Sequence, residues 1–149
     1  MGYIEEIRAE VGNRPLILVG ATVAVLNKQN ELLLQKRTDG VWGLPGGFME
    51  LGESAPETAR REVKEETGVI IGEVKLVDVF SGKEHYTKLP NGDEYYSVTI
   101  AYFTRDIIEE SIHLCSSETI DAGFFPLHSL PKGTSHKLKE MIQRLSASI

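Results

Sequence analysis

Three glutamates in one short segment have the side chains and the spacing that bind a metal ion. Glu62, Glu65 and Glu66 stand at positions i, i+3 and i+4, which in a helix places them within about 100° of one face. Like charges at this spacing repel each other and destabilise the helix. A hard divalent cation such as Mg²⁺, which prefers carboxylate oxygens, would offset that repulsion. The alternative is a solvated acidic surface, the commoner meaning of such a pattern.

The residues around these glutamates predict a helix and both of its ends. Ser54 is a good N-cap, and Glu57 completes a capping box three residues later. Gly68 suits the left-handed position that ends many helices. Between these signals, Ala59 and Val63 form an apolar stripe beside the acidic face. We expect that stripe to pack on the body of the domain.

The same residues resemble the Nudix box, G-x5-E-x7-R-E-U-x-E-E-x-G-U, in which U is an aliphatic residue. Every fixed position of that pattern is filled between Gly47 and Val69. The preceding segment, Trp42 to Gly47, also resembles the usual lead-in of the family. So many fixed positions in one window make a chance match rare. The chain is therefore identified as similar to the Nudix hydrolase superfamily, in its MutT-like branch.

The resemblance implies the ligands of a metal site. Glu62, Glu65 and Glu66 match the metal-binding glutamates of the family. Gly46 matches a position whose backbone carbonyl is commonly a further ligand. Mg²⁺ is the implied cofactor, and Mn²⁺ is the alternative.

The resemblance also implies catalytic residues, although the general base has no single position in this superfamily. Glu53 matches an acid that is associated with the metal site or with a bond to Arg61. We interpret Arg61 as an orienting partner of the acids. Glu65 is one candidate for the base. Glu118, in a late polar loop, is a second candidate, and Asp121 ranks below it.

Three further side chains are candidates for substrate binding. Arg37, at the end of a predicted strand, is either a surface arginine or a contact to a substrate phosphate. Trp42 is either a stacking surface for a base or part of the core. Tyr86 lies near a position where dinucleoside polyphosphate enzymes of the family tend to carry a tyrosine, and packing is its alternative role.

Length and charge limit the class of protein. With 149 residues the chain predicts one Nudix domain over 1–149, with a short N-terminal helical extension over about 1–13. That helix either packs on the domain or contacts a second subunit of a homodimer, and we expect packing. A net charge of −6 without a basic cluster argues against long nucleic acids as partners. A single cysteine, no signal peptide and no membrane-length apolar run predict a cytoplasmic protein.

The order of the predicted elements indicates an α/β fold. Apolar runs over Leu16 to Leu26 and Leu32 to Lys36 predict one hairpin, and Asn91-Gly92 predicts another with a type I′ turn. Pro45 and the glycines after it predict that Trp42 to Gly47 forms a rigid loop, and Ser135 is placed to cap a last helix. The resemblance independently implies a Nudix-type α/β/α sandwich with a mixed β-sheet.

The resemblance implies hydrolysis of a phosphoanhydride bond in a nucleoside diphosphate linked to another group X, by metal-activated water. The leading substrate is a (deoxy)nucleoside triphosphate, cleaved to the monophosphate and pyrophosphate. ADP-ribose, nucleotide sugars and dinucleoside polyphosphates are alternatives. The proline that ADP-ribose enzymes tend to carry after the box is missing from Lys83 to Tyr86. A non-catalytic nucleotide sensor is another class, but sensors usually lose box glutamates, and this chain has them all.

Overall fold

The computed structural model describes residues 2–147. Within that range the chain forms three α-helices, ten strands and one short 3₁₀ turn at Lys83–His85. The helices are α1 (Tyr3–Val11), α2 (Ala55–Thr67) and α3 (His136–Ser146). The strands are β1 (Leu16–Val25), β2 (Glu31–Arg37), β3 (Trp42–Gly43), β4 (Gly46–Phe48), β5 (Ile70–Ile71), β6 (Lys75–Phe80), β7 (Tyr86–Lys88), β8 (Glu94–Thr104), β9 (Ile107–Glu109) and β10 (Thr119–Pro126).

The strands form two main sheets and one small pair. The larger sheet has the order β4-β1-β8-β6, with β7 also paired to β8. Strands β1 and β8 run parallel along ten residue pairs, whereas the other neighbours in this sheet are antiparallel. The second sheet, β10-β2-β3, is antiparallel, and β5 pairs with β9. This mixed sheet, together with the helices, confirms the predicted α/β class.

Two apolar clusters, one on each face of the sheets, make the core. Because successive side chains of a strand point to opposite faces, β1 contributes to both clusters. Val23 packs in the cluster that contains Ala59 and Val63 of α2. Ala24 packs in the cluster that contains Leu138 of α3. The two helices therefore cover opposite faces, which confirms the α/β/α arrangement.

The predicted ends of α2 are confirmed. The Ser54 hydroxyl accepts a hydrogen bond from the Glu57 N–H at 3.2 Å, and Gly68 has a left-handed φ of 83°. The last helix also begins as predicted, because the Ser135 hydroxyl accepts a bond from the Leu138 N–H at 3.2 Å. Local capping chemistry thus places both helices that cover the sheets.

The predicted N-terminal helix exists as α1, and it packs on the domain. The Tyr3 N–H donates to the Glu50 carboxylate at 3.0 Å. Arg8, at the other end of the helix, donates to the Glu94 carbonyl at 2.6 Å and lies 3.7 Å from the Asp93 carboxylate. None of the helices within residues 2–147 is long and apolar enough to cross a membrane.

The predicted hairpin between Leu16–Leu26 and Leu32–Lys36 is wrong. One isolated bridge, from Leu26 to Leu32, joins the two segments, while β1 pairs with β4 and β8 and β2 pairs with β10 and β3. The Asn27 side chain accepts bonds from two backbone N–H groups of the connecting turn, and the strands then separate into different sheets. Long apolar runs buried on both faces are typical of interior strands, which pair with distant partners.

Two smaller predictions also need correction. The segment Trp42 to Gly47 contains β3 and the start of β4, so only Leu44-Pro45 is a connection, and it crosses from one sheet to the other. The second hairpin is present, because β7 pairs with β8. Its turn is not type I′, because only Gly92 has a positive φ, at 96°, and a type I′ turn needs positive φ at both central residues.

Candidate active site

An open cleft of about 830 Å³ runs between α1, the larger sheet, α2 and the beginning of α3. Its lining is strongly acidic. Six carboxylate side chains line it: Asp39, Glu50, Glu62, Glu66, Glu118 and Glu140. The cationic side chains of the lining are Arg37 and Lys137. A cleft with this imbalance attracts cations and, without them, repels phosphate groups.

Glu66 is the most buried of these acids, with 6% of the residue exposed. Its Oε1 atom accepts a 2.7 Å hydrogen bond from the Gly46 N–H. Burial raises the pKa of the Glu66 carboxyl to about 8, and the charges of Glu62, Glu118 and Glu65 add to the rise, whereas the Gly46 bond opposes it. None of the ion pairs among residues 2–147 includes Glu66. Without a bound cation the carboxyl is therefore mostly protonated at pH 7.

Glu62 lies one turn before Glu66 and also lines the cleft. Burial raises the pKa of its carboxyl, and a bond from Arg61 at 2.7 Å lowers it in part. The carboxylate lies directly against the backbone of Gly47, since a Cβ atom there would be 2.5 Å from the carboxyl carbon of Glu62. The glycine that opens the box is thus needed because any side chain would displace this carboxylate.

Arg61 joins the loop before α2 to the helix. Its Nε and Nη2 atoms donate to the two carboxylate oxygens of Glu53 at 2.5 and 2.9 Å, and Nη2 also donates to the Phe48 carbonyl at 3.1 Å. The bond from Arg61 is the main cause that lowers the pKa of Glu53 to about 2. The same pair raises the pKa of the Arg61 guanidinium above its usual range. This geometry supports the orienting role of Arg61, which stays a prediction.

The three candidates for the general base occupy different surroundings. Glu118 comes from the loop before β10, lines the cleft, and is near enough for its charge to raise the pKa of both Glu62 and Glu66. Glu65 is 54% exposed and is 3.1 Å from Arg61 Nη1. Asp121 is exposed and accepts a bond from the Ala122 N–H. Among the three, Glu118 faces the cleft, and its catalytic role stays a prediction.

The chemistry of these donors fits a divalent cation. Within residues 2–147, no three carboxylate, imidazole or thiol groups converge as a complete metal site. Arg61 bonds the carboxylates of Glu62 and Glu65. The cleft nevertheless offers carboxylate oxygens of Glu62, Glu66 and Glu118 beside the backbone of Gly46. An oxygen-only donor set with excess negative charge suits Mg²⁺ or Mn²⁺.

The structure separates the three predicted substrate-binding side chains. Arg37 lines the cleft, with its Nε atom 3.8 Å from Asp39 and 49% of its side chain exposed. Trp42 is 8% exposed and packs edge-on against Phe125 with ring centroids 5.0 Å apart. Tyr86 donates from its hydroxyl to Glu94 and packs beside Tyr96. Packing therefore accounts for the positions of Trp42 and Tyr86, and their contact with substrate stays a prediction without support from geometry.

Several polar residues of the cleft were not predicted from the sequence, including Gln35, Asp39, Glu50, Lys137 and Glu140. Gln35 is 3% exposed, lines the cleft and accepts a 2.9 Å bond from the Thr119 hydroxyl. Its signal was a lone amide at the end of an apolar run, Leu32 to Leu34. Lys137 comes from the first turn of α3, and no local pattern marks it as a cleft residue.

A protein-family comparison matches residues 16–145 to the NUDIX domain. The chain belongs to the Nudix family. It is 35% identical over 116 residues to an ADP-ribose pyrophosphatase of Methanocaldococcus jannaschii, covering 75% of this chain and 64% of that protein. It is 35% identical over 108 residues to the putative ADP-ribose pyrophosphatase YjhB of Bacillus subtilis, covering 72% of this chain and 50% of that one. This Nudix chain thus spans between half and two thirds of the length of these two relatives.

The fold of this Nudix chain is similar to solved structures of the same family. The crystal structure of MutT NUDIX hydrolase from Burkholderia pseudomallei matches with a TM-score of 0.73 over 87% of this chain and 98% of that one, at 24% identity. At that identity the likeness shows the fold. It confirms the predicted Nudix-type α/β/α sandwich.

Proposed function

We propose that this Nudix chain is a metal-dependent hydrolase that cleaves a phosphoanhydride bond in a nucleoside diphosphate linked to another group. The observation that carries the proposal is the acidic wall of the cleft, formed by Glu62, Glu66 and Glu118. Phosphates and carboxylates repel each other unless cations lie between them. The acidic cleft of this Nudix chain therefore suits a phosphorylated substrate that binds together with divalent cations.

The residues of the acidic wall and their neighbours have distinct roles in the proposed reaction. A bound divalent cation would neutralise the phosphates and make water at the site more acidic. Glu62 and Glu66 hold the cation, and the Gly46 N–H fixes the carboxylate of Glu66. Glu118 accepts a proton from the attacking water, since it faces the cleft beside both acids. Arg61 keeps the loop before α2 attached to the helix and so preserves these positions.

The charge of the cleft lining affects which nucleotide the cleft favours as substrate. A nucleoside triphosphate carries roughly twice the negative charge of the diphosphate in ADP-ribose and needs more compensation. The cleft supplies Arg37 and Lys137 against six carboxylates. We therefore favour ADP-ribose or a similar nucleoside diphosphate derivative, in keeping with the names of the two relatives at 35% identity. A (deoxy)nucleoside triphosphate, the leading expectation from the sequence, is the second candidate.

A substrate panel tests both levels of the proposal. The purified chain is incubated with ADP-ribose, common and 8-oxo (deoxy)nucleoside triphosphates, diadenosine polyphosphates and nucleotide sugars, each with Mg²⁺, with Mn²⁺ and with EDTA. We expect metal-dependent turnover that EDTA abolishes, with the largest kcat/KM for ADP-ribose. A larger kcat/KM for a triphosphate would reject the substrate preference alone.

The same panel separates an enzyme from a sensor. A non-catalytic nucleotide sensor would bind one of these nucleotides, as measured by calorimetry, without hydrolysing any of them. Binding without turnover in the presence of either metal would therefore overturn the proposed activity. Turnover that persists in EDTA would overturn the metal dependence.

A further inference from the structure

Within residues 2–147, no helix covers about half of one face of the larger sheet, and that half is apolar. Helix α2 packs over the other half, against Ala21, Val23 and Tyr102. Beyond the end of α2, six aliphatic and aromatic side chains are between 36% and 73% exposed. We call this surface the open face. Its residues are Ile17, Val19, Leu76, Val79, Tyr86 and Tyr96.

The strand register shows that the open face is continuous. Ile17 of β1 lies opposite Tyr96 of β8, which lies opposite Tyr86 of β7, and the two tyrosine rings have centroids 5.3 Å apart. Val79 of β6 lies opposite Ile100, which is partly buried on the same face. Paired residues point to the same side of a sheet, so the open face crosses four strands without interruption.

The opposite face of the same strands is more polar where it lines the cleft. There the sheet forms the floor of the cleft with small and hydroxyl-bearing residues, including Gly20, Thr22, Ser97 and Thr99. A sheet with one solvated face normally places its apolar side chains inward and its polar side chains outward. Here small and hydroxyl-bearing residues line the cleft, whereas apolar side chains lie on the exposed surface of the other face. The open face is therefore composed like a surface that is buried in the working protein.

We infer that the open face binds the open face of a second copy of this chain in a two-fold symmetric homodimer. In such an interface each patch meets its own copy. None of the six side chains is charged, so the net charge of −6 does not place like charges in the centre of contact. At the rim, Lys88 and Glu94 lie opposite each other on β7 and β8. They offer both signs of charge to a partner that presents the same pair.

The area of the open face is sufficient for this contact. Removing roughly 100 Å² of each of the six side chains from solvent in both copies buries about 1,200 Å², which reaches the range of specific protein interfaces. Partly buried neighbours such as Val98 add to it. The dimer would leave both clefts accessible, because the cleft opens on the other face of the sheet. The inference does not depend on the proposed catalytic activity.

Sedimentation equilibrium of the full chain over a range of concentrations tests the interface. We expect the wild type to show twice the mass of one chain. Ile17→Lys and Val79→Lys change residues on two separate strands of the open face, 73% and 47% exposed, and each should weaken the dimer by about a hundredfold or more because it would bury a charge. Ile108→Lys is the matched control, since Ile108 is 68% exposed in the separate β5–β9 pair.

The outcomes are distinct. Circular dichroism establishes that each variant is folded before its mass is measured. Loss of the dimer in Ile17→Lys and Val79→Lys but not in Ile108→Lys supports the inference. A wild type that stays monomeric at the highest concentration overturns it, and so does a dimer that persists in both open-face variants. A monomer whose open face binds some other protein would likewise exclude the homodimer.

Discussion

The two ends of the α2 region hold carboxylates in opposite electrostatic surroundings. Glu53, just before the helix, is bonded by Arg61, Thr58 and the Glu50 N–H, and these bonds lower its pKa to about 2. Glu66, in the last turn, has a single bond from the Gly46 N–H, and burial raises its pKa to about 8. The first site is electrostatically complete in the folded chain. The second needs a proton or a cation to neutralise it.

This difference indicates which acids of the Nudix box stabilise the structure and which take part in the reaction. A carboxylate whose charge is already matched by a guanidinium is stable without a ligand. A carboxylate that is buried among other acids costs free energy of folding, and a cation that binds there recovers it. We therefore assign Glu53 and Arg61 to positioning and Glu66 to metal binding. Three predictions test that assignment, and a fourth concerns Arg37 at the edge of the cleft.

The largest effect is expected for Glu66→Gln. The substitution keeps the size and the bond to Gly46 but removes the charge that attracts the cation. We expect kcat/KM for the best substrate to fall by about 10² to 10³-fold at saturating Mg²⁺. Glu110→Gln, which changes an exposed glutamate outside the cleft, is the control and should leave kcat/KM unchanged. Equal rates for Glu66→Gln and wild type would contradict the assignment.

The second effect is on the pH dependence of stability without metal. Because the folded pKa of Glu66 is about 8, above the usual 4.5, the folded chain holds more protons than the unfolded chain between these values. Stability from this group is therefore complete below pH 4.5 and is lost as pH rises through about 8. Urea unfolding in EDTA should show a loss of a few kcal/mol across that window.

Glu66→Gln removes this titrating group, so its unfolding free energy should fall less over the same window, with the contribution of Glu62, whose pKa is also raised, remaining. Glu53 should change the stability of the same protein in the opposite direction with pH. Its lowered pKa contributes stability that is present above pH 4.5 and is lost as pH falls towards about 2. A wild-type free energy of unfolding that stays constant from pH 5 to 9 would contradict the raised pKa of Glu66.

The third effect is on stability at neutral pH and concerns Arg61. We expect Arg61→Ala to lower the free energy of unfolding by about 1–2 kcal/mol, because the guanidinium is partly exposed and solvent screens its ion pairs. Arg61→Lys keeps the charge but cannot donate to both oxygens of Glu53, so it should lie between Arg61→Ala and wild type. If both variants match the wild type in urea unfolding, the loop before α2 does not depend on this pair.

The smallest effect is expected for Arg37. Its side chain is 49% exposed at the edge of the cleft, so a contact to substrate phosphate would be screened. We expect Arg37→Ala to raise KM about two- to fivefold with little change in kcat. Arg14→Ala is the matched control, since Arg14 is exposed and lies outside the cleft lining. An unchanged KM in Arg37→Ala would assign Arg37 to the surface.

The helices could be predicted from the sequence because their signals are local. Ser54 and Gly68 act on the backbone within a few residues of their own positions, so their roles are visible in the order of residues. The spacing of Glu62 and Glu66 likewise depends only on helical geometry. These local signals predict that Glu62 and Glu66 share one helix, and the structure places both on α2.

The remaining errors and omissions arise from contacts between distant residues. The pairing of β1 with β8 and of β2 with β10 joins segments whose apolar runs fit many partners, so adjacency in the chain was a misleading guide. Lys137 reaches the cleft only because α3 packs beside the sheet. The contrast between Glu53 and Glu66 also depends on three-dimensional bonds, since both are glutamates of one motif.

Binding of Mn²⁺ without substrate is the direct test of whether Glu66 holds a divalent cation. Free Mn²⁺ is measured by electron paramagnetic resonance during titration of the wild type, Glu66→Gln, Glu53→Gln and Glu110→Gln. We predict saturable binding to the wild type and to Glu110→Gln, a loss of affinity of at least about tenfold in Glu66→Gln, and a smaller loss in Glu53→Gln. Undiminished binding of Mn²⁺ by Glu66→Gln would contradict the claim that the Glu66 carboxylate holds the metal.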